Sequence, residues 1–214
     1  MRKRPSEGKP TGRPGAIHQH YAPRISANLE NYDVVDWASP QSQEKRFGVL
    51  ADNVDLDGRS LLDVGCGLGD LWDYLRRRRV RVAYTGVDLL EPMADAARQR
   101  HPDQRFLPAN IFAENVFRPE SFDVVFCSGI FSLDLGNNRE FLAAALPRLL
   151  DLARECVVIN LLHQRAAHGP RDAYFHFDPK EVLAMARPFP CEVRILDEYL
   201  PNDFTVICRK RRGG

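Results

Sequence analysis

The chain has 214 residues, 44% of them hydrophobic and 28% charged, with a formal net charge of +1. A globular chain of this length buries roughly 70% of its unfolded surface, which is enough for a core without disulfides or metal. The charge argues neither for nor against a nucleic-acid partner, and no apolar run approaches the ~20 residues that cross a bilayer.

The N-terminus, Met1-Arg2-Lys3-Arg4-Pro5, is basic but has no apolar run behind it, so it does not read as a secretory signal, and the expected setting is cytoplasmic. Residues 1–16 hold five basic side chains, one acid, three prolines and three glycines, and read as a flexible basic tail. Residues 17–56 read as a helical segment placed to act as a lid, and residues 57–210 as the main domain. Ser39 and Pro40 are a fair N-cap and first position for a helix carrying Phe47, Leu50, Ala51 and Val54 on one face.

A strand is expected over 60–64, then a glycine turn and a helix over about 70–79 that ends in four arginines, Arg76 to Arg79. Those arginines suit the negative end of the helix dipole better than they suit a nucleic-acid patch. Strand two runs over 82–88, and Pro92 opens a helix closed by His101-Pro102. Arg105-Phe106-Leu107 is a short strand. Residues 122–127 are apolar on consecutive positions, as a strand covered on both faces should be.

Asn137 or Asn138 caps a helix to about Ala153 in which Pro147 should make a kink or a break. A strand over 156–161 follows, then a helix with Asp178 as N-cap, Pro179 at its first position and Glu181 as capping-box acid. Residues 191–196 and 204–208 close the chain as two strands, before the basic run Arg209-Lys210-Arg211-Arg212. The cysteines, Cys66, Cys127, Cys156, Cys191 and Cys208, are widely spaced without a C-x-x-C pair and read as reduced core residues. No His or Cys spacing suggests a metal site.

The most informative stretch is Asp63-Val64-Gly65-Cys66-Gly67-Leu68-Gly69-Asp70. It reads G-x-G-x-G, and Asp70 stands where a dinucleotide fingerprint needs its last glycine. An acid at that helix start suits a cationic or zwitterionic nucleoside better than a pyrophosphate. Asp88 closes the next strand, where such acids take the ribose hydroxyls.

These motifs, with Gly86-Val87-Asp88-Leu89-Leu90-Glu91-Pro92-Met93 and Phe122-Asp123-Val124-Val125-Phe126-Cys127-Ser128-Gly129, resemble those of the class I S-adenosylmethionine-dependent methyltransferases, over roughly residues 40 to 209. The resemblance implies an α/β, doubly wound, Rossmann-like sheet of seven mostly parallel strands in the order 3-2-1-4-5-7-6, the last antiparallel. It implies S-adenosylmethionine as methyl donor. Asp63 would support the glycine loop and the donor's amino-acid end, and Gly65, Cys66 and Gly67 would pass close to its methionine and ribose parts. Asp88 and Leu89 would meet the ribose, Asn110 and Ile111 the adenine, and Cys127 and Ser128 the amino group. Arg46 would pair with its carboxylate.

Acceptor-side candidates are fewer. Tyr21 and Trp37 lie in the expected lid, Asn160 follows a strand end, and His163, His176 or Tyr174 could serve as a base. A small-molecule acceptor is favoured by the lack of length for a recognition domain, with RNA or protein acceptors open. Also open are a non-catalytic donor-binding protein, an aminopropyltransferase and a nicotinamide oxidoreductase.

Overall fold

The computed structural model describes residues 13–25, 29–113, 115–166 and 173–211. Residues 1–12 of the expected tail, and Arg212 of the closing basic run, lie outside the described residues. In chain order the elements are α1 Arg13–Ile25, α2 Asn31–Val34, α3 Pro40–Asn53, β1 Arg59–Val64, α4 Asp70–Arg77, β2 Val82–Asp88 and α5 Glu91–Arg100. There follow β3 Arg105–Pro108, β4 Phe122–Ser128, α6 Asn138–Leu152, β5 Ala153–Leu162, α7 Pro179–Ala186, β6 Cys191–Leu196 and β7 Asp203–Lys210.

The strands form one seven-stranded sheet in the order β3-β2-β1-β4-β5-β7-β6, in which β7 alone runs antiparallel to its neighbours. This is the doubly wound architecture expected from the sequence. Consecutive strand residues feed opposite cores. Leu61, Val124, Phe126 and Val158 pack against Phe47, Leu71 and Leu75 of α3 and α4. Leu62, Val125, Cys127 and Val157 pack against Leu142, Leu146 and Val182 of α6 and α7. Both faces being covered is why these strands read as unbroken apolar runs. Emptying one such position, as in Phe126→Ala, removes a side chain 1% exposed and costs about 3–5 kcal/mol.

The chain steps outward from β1 to β2 to β3, then returns to place β4 on the other side of β1. The crevice at the carboxyl ends of β1 and β4 is therefore the switch point, where open α/β sheets bind ligands. Two local expectations are corrected. Residues 13–16 belong to α1 rather than to a tail. Pro147 does not break α6, which runs unbroken from Asn138 to Leu152. Ala143 and Pro147 both face solvent, so the carbonyl deprived of its donor can be met by water.

The caps are partly as expected. The Ser39 hydroxyl accepts from Ser42 N at 3.1 Å, and the Asp178 carboxylate accepts from Lys180 N at 2.8 Å. Glu181 instead takes Arg139 Nε at 2.8 Å, so no capping box forms on that side.

Candidate functional site

The loop after β1 is built by its glycines. Gly65 and Cys66 both donate backbone N–H to Val87 O, at 2.8 and 3.0 Å, which curls the loop onto the end of β2. Gly65 and Gly67 hold φ of +76° and +53°, in the left-handed region that favours glycine. A Cβ on Gly65 would stand 2.1 Å from Ile130 Cγ2, and one on Gly67 2.8 Å from Val35 Cγ1. The chain after β4 and the chain after α2 thus press down on this loop.

Asp88 joins the loop to the next helix. Its Oδ2 accepts from Gly67 N at 3.0 Å and its Oδ1 from Leu90 N at 2.9 Å. Burial pushes its carboxyl up, against the pull of those N–H groups. Asp63 is buried more deeply and accepts from Tyr84 OH at 2.6 Å. Burial, with the charges of Asp88 and Asp70 in support, outweighs that hydrogen bond and lifts Asp63 to about 7.

Asp70 has a different part from the one its position suggests. It pairs with Arg100 at 2.9 Å and accepts from Asn31 and Gln43 at 3.0 and 3.2 Å, tying α2, α3 and α5 to the start of α4. Its charge is largely matched, so the uncompensated acids of the crevice are Asp63 and Asp88.

A cavity of about 340 Å³ opens over these groups, within the range of small-molecule sites. Asp63, Gly65, Cys66, Gly67, Asp88, Leu89, Asn110, Ile111 and Ser128 line it. Asn110 Oδ1 already accepts from Phe112 N at 3.1 Å, which orients the amide within its turn. The roof comes from the N-terminal segment, as Arg13, Ile17 and Tyr21 of α1 with Val35 and Trp37. Trp37 lies flat on the far wall, its ring atoms 3.0 Å from where a Cβ of Gly129 would be.

Other expected site residues lie elsewhere. Arg46 does not line the cavity. Its guanidinium grips Asp203 at the start of β7, at 3.1 and 2.5 Å, donates to Ser42 O at 2.8 Å and stacks on Trp37 at 4.0 Å. Both partners are buried, so Arg46 holds Trp37 and α3 rather than a ligand carboxylate. Cys127 is fully buried and also lies off the cavity, its thiol pushed well up by burial. All five cysteines are buried and free.

His163 is buried against Phe204, its Nδ1 accepts from Arg165 N at 3.1 Å, and burial lowers its basicity. Tyr174 donates its hydroxyl to Asp36, and His176 sits within electrostatic reach of Asp203. None of these three lines the cavity. Asn160 is spent on Ser128, Tyr199 and Phe204 O. Around α4, Arg76, Arg77 and Arg78 pair with Asp73, Glu44 and Asp52, which leaves little free positive charge for a polyanion.

The sequence reading put Tyr21 and Ile17 in the lid but missed Arg13, which it left in the tail. Its signal was present: Arg13, Ile17 and Tyr21 recur four apart and share one helix face. The prolines and glycines around them masked it.

Sheet order, crevice and acid-flanked glycine loop together define a nucleoside-binding α/β protein of the methyltransferase type. A family model described as a methyltransferase domain matches residues 62–152. A Mycobacterium tuberculosis protein named as a methyltransferase is 31% identical over 160 residues, covering 72% of this chain and 95% of that protein. The chain belongs to the class I S-adenosylmethionine-dependent methyltransferases, enzymes whose methyl donor is S-adenosylmethionine.

It is also 33% identical over 105 residues to the trans-aconitate 2-methyltransferase of Afipia carboxidovorans, covering 46% of this chain but only 40% of that enzyme. In fold it is similar to magnesium protoporphyrin IX methyltransferase from Synechocystis PCC 6803, solved with bound S-adenosylmethionine. That match has a TM-score of 0.62 at 14% identity over 92% of each chain.

Proposed function

We propose that this methyltransferase acts on a small-molecule acceptor inside the roofed cavity. The observation that carries the reading is the roof itself. α1 and the Val35–Trp37 segment cover the crevice, leaving about 340 Å³ beneath them, a space suited to compact ligands rather than to a folded surface. A relative named for a small carboxylic acid supports the same reading.

The residues present suit the donor. It is a zwitterion with an extra sulfonium charge, and Asp63 and Asp88 supply the negative lining that such a ligand needs. When bound, it supplies an already activated methyl group. The protein's work is then to align the two reactants and keep water out, for which no base is required unless the acceptor must lose a proton.

Each Asp88 oxygen keeps a lone pair for a ribose hydroxyl, beyond the backbone N–H it already accepts. Gly65, Cys66 and Gly67 form the floor, which a Cβ on either glycine would spoil, and Asp63 faces the ammonium end. Leu89, Asn110 and Ile111 form the adenine wall, and Ser128 closes the amino-acid end. Trp37, held by Arg46, and Tyr21 are the acceptor-side surfaces.

The test has two stages. Calorimetry should find S-adenosylhomocysteine bound and NADH unbound; the reverse would sink the donor assignment. Labelled donor incubated with a cell extract should then put label into small molecules, and label entering only RNA or protein would overturn the acceptor class.

A further inference from the structure

Among the described residues one cationic side chain lines the cavity, and its hydrogen-bonding capacity is mostly unspent. Arg13 opens α1 and lines the cavity. Its guanidinium lies flat on the Phe141 ring, 4.0 Å from the centroid, and one amino group reaches Asn137 Oδ1 at a long 3.5 Å. The remaining donors, Nε and Nη2, are buried and have no hydrogen-bond partner among the described residues. Asp134 is near enough to be felt electrostatically, but its carboxylate is turned to Gly136 N at 2.9 Å.

Native proteins seldom leave buried N–H groups unpaired. Nε with one terminal amino group is also the edge of the guanidinium fork that meets an oxyanion with two parallel hydrogen bonds. The Phe141 face fixes the plane of that fork. Arg46, the arginine that the sequence reading expected at the site, is spent on Asp203, so it does not compete for the role.

We propose that Arg13 is a specificity residue that receives an oxyanion of the acceptor, a carboxylate or a phosphate, and so restricts this enzyme to anionic acceptors. The inference rests on the donor and small-molecule readings above. Arg13, Ile17 and Tyr21 sit four residues apart along one face of α1, so the backbones of Arg13 and Tyr21 stand roughly 12 Å apart along the helix axis. The charged handle is thus bound at one end of the roof. Tyr21, the acceptor-side ring of the same helix face, stands at the other.

The test uses the full chain saturated with S-adenosylhomocysteine, titrated in separate arms with trans-aconitate and with inorganic phosphate. At least one probe should bind, and whichever binds identifies the oxyanion. Arg13→Gln should weaken that probe tenfold or more, and Arg13→Lys, which keeps the charge but not the fork, should fall between. Affinities for S-adenosylhomocysteine and for 5′-methylthioadenosine, which lacks the amino-acid end, should stay within twofold in Arg13→Gln.

Failure of both probes to bind while S-adenosylhomocysteine does, or equal probe binding by wild type and Arg13→Gln, would overturn the proposal and leave the donor reading standing. Loss of S-adenosylhomocysteine alone would reassign Arg13 to the donor's carboxylate, and loss of both nucleosides to its adenine. Either result also overturns it. Wild-type protein that binds no S-adenosylhomocysteine would sink the donor reading, and this inference with it.

Discussion

The floor and the roof of the cavity are held by different forces. The floor is backbone: Gly65 and Cys66 bonded to Val87 O, Gly67 to Asp88, and a sheet with an apolar core on each face. The roof rests on a small apolar cluster, in which Ile17, Tyr21, Ile25 and Val35 pack on Val34, Leu68, Leu90 and Met93, and is tied down by polar side chains. Asp36, in the left-handed region at φ +65°, gathers His20 at 2.8 Å, Arg24 at 2.6 Å and the hydroxyl of Tyr174. Arg46 and Asp203 pin Trp37 and α3 to the far side. A floor of this kind is set once the sheet forms, whereas the polar ties on the roof can be removed one contact at a time, leaving only its small apolar cluster to hold it. That contrast suits an enzyme that must open to admit its reactants and close to exclude water.

The largest expected effect falls on the buried pin. Asp203→Ala leaves the Arg46 guanidinium unpaired where it is only 2% exposed, and should cost about 3–5 kcal/mol in urea unfolding. A loss below about 1 kcal/mol would mean that solvent reaches the pair, and the roof would then be looser than the contrast requires. Next comes the floor. Gly65→Ala combines a left-handed backbone with a Cβ 2.1 Å from Ile130 Cγ2, and should weaken S-adenosylhomocysteine binding at least tenfold. Adding Ile130→Ala should recover the steric part of that loss and leave the part due to φ. Full recovery would show that the backbone conformation is not strained.

Asp88→Ala is expected to be milder for the fold than for the site. It removes two acceptors for backbone N–H groups and the proposed ribose contacts together. S-adenosylhomocysteine affinity should fall about tenfold or more, at least 1.4 kcal/mol, with cooperative unfolding retained. Unchanged affinity in the folded variant would take Asp88 out of the donor site.

Most of the floor was legible in the chain, because its signals are local. Alternating glycines after an apolar strand, an acid closing the next strand, and apolar runs for strands covered on both sides are each explained by neighbours within a few residues. The roof was legible only as a helical segment. The partner of Arg46 is 157 positions away, at the start of the last strand, and no local pattern announces it. Asp70 shows the same limit. Its sequence position suggested an exposed negative charge, and only the packing of α5 brings Arg100 against it. The break allowed for at Pro147 did not form, because that expectation counted the lost hydrogen bond without asking whether the orphaned carbonyl faced water. His163 was a plausible base by position at a strand end, until the fold laid Phe204 across it.

The smallest predicted effect separates floor from roof by pH. Asp63 lies in the floor with its carboxyl lifted to about 7, chiefly by burial, well above the ordinary carboxylate range. Its protonated form is therefore favoured by folding. The stability it lends is full below the unfolded-state value of 3.8 and is lost as pH rises through about 7. A cationic ligand favours the ionised form, so donor affinity should move the other way, rising up to roughly eightfold between about pH 6 and 7.5. Above about pH 8 the donor's own ammonium begins to lose its proton, so the measurement belongs below that point. Calorimetry of S-adenosylhomocysteine in two buffers of different ionisation enthalpy should find a proton released on binding near neutral pH. Asp63→Asn should flatten the affinity profile and abolish the release. A profile that keeps its slope in Asp63→Asn would place the titrating group elsewhere and would mean that Asp63 gives the floor no titrating charge of its own.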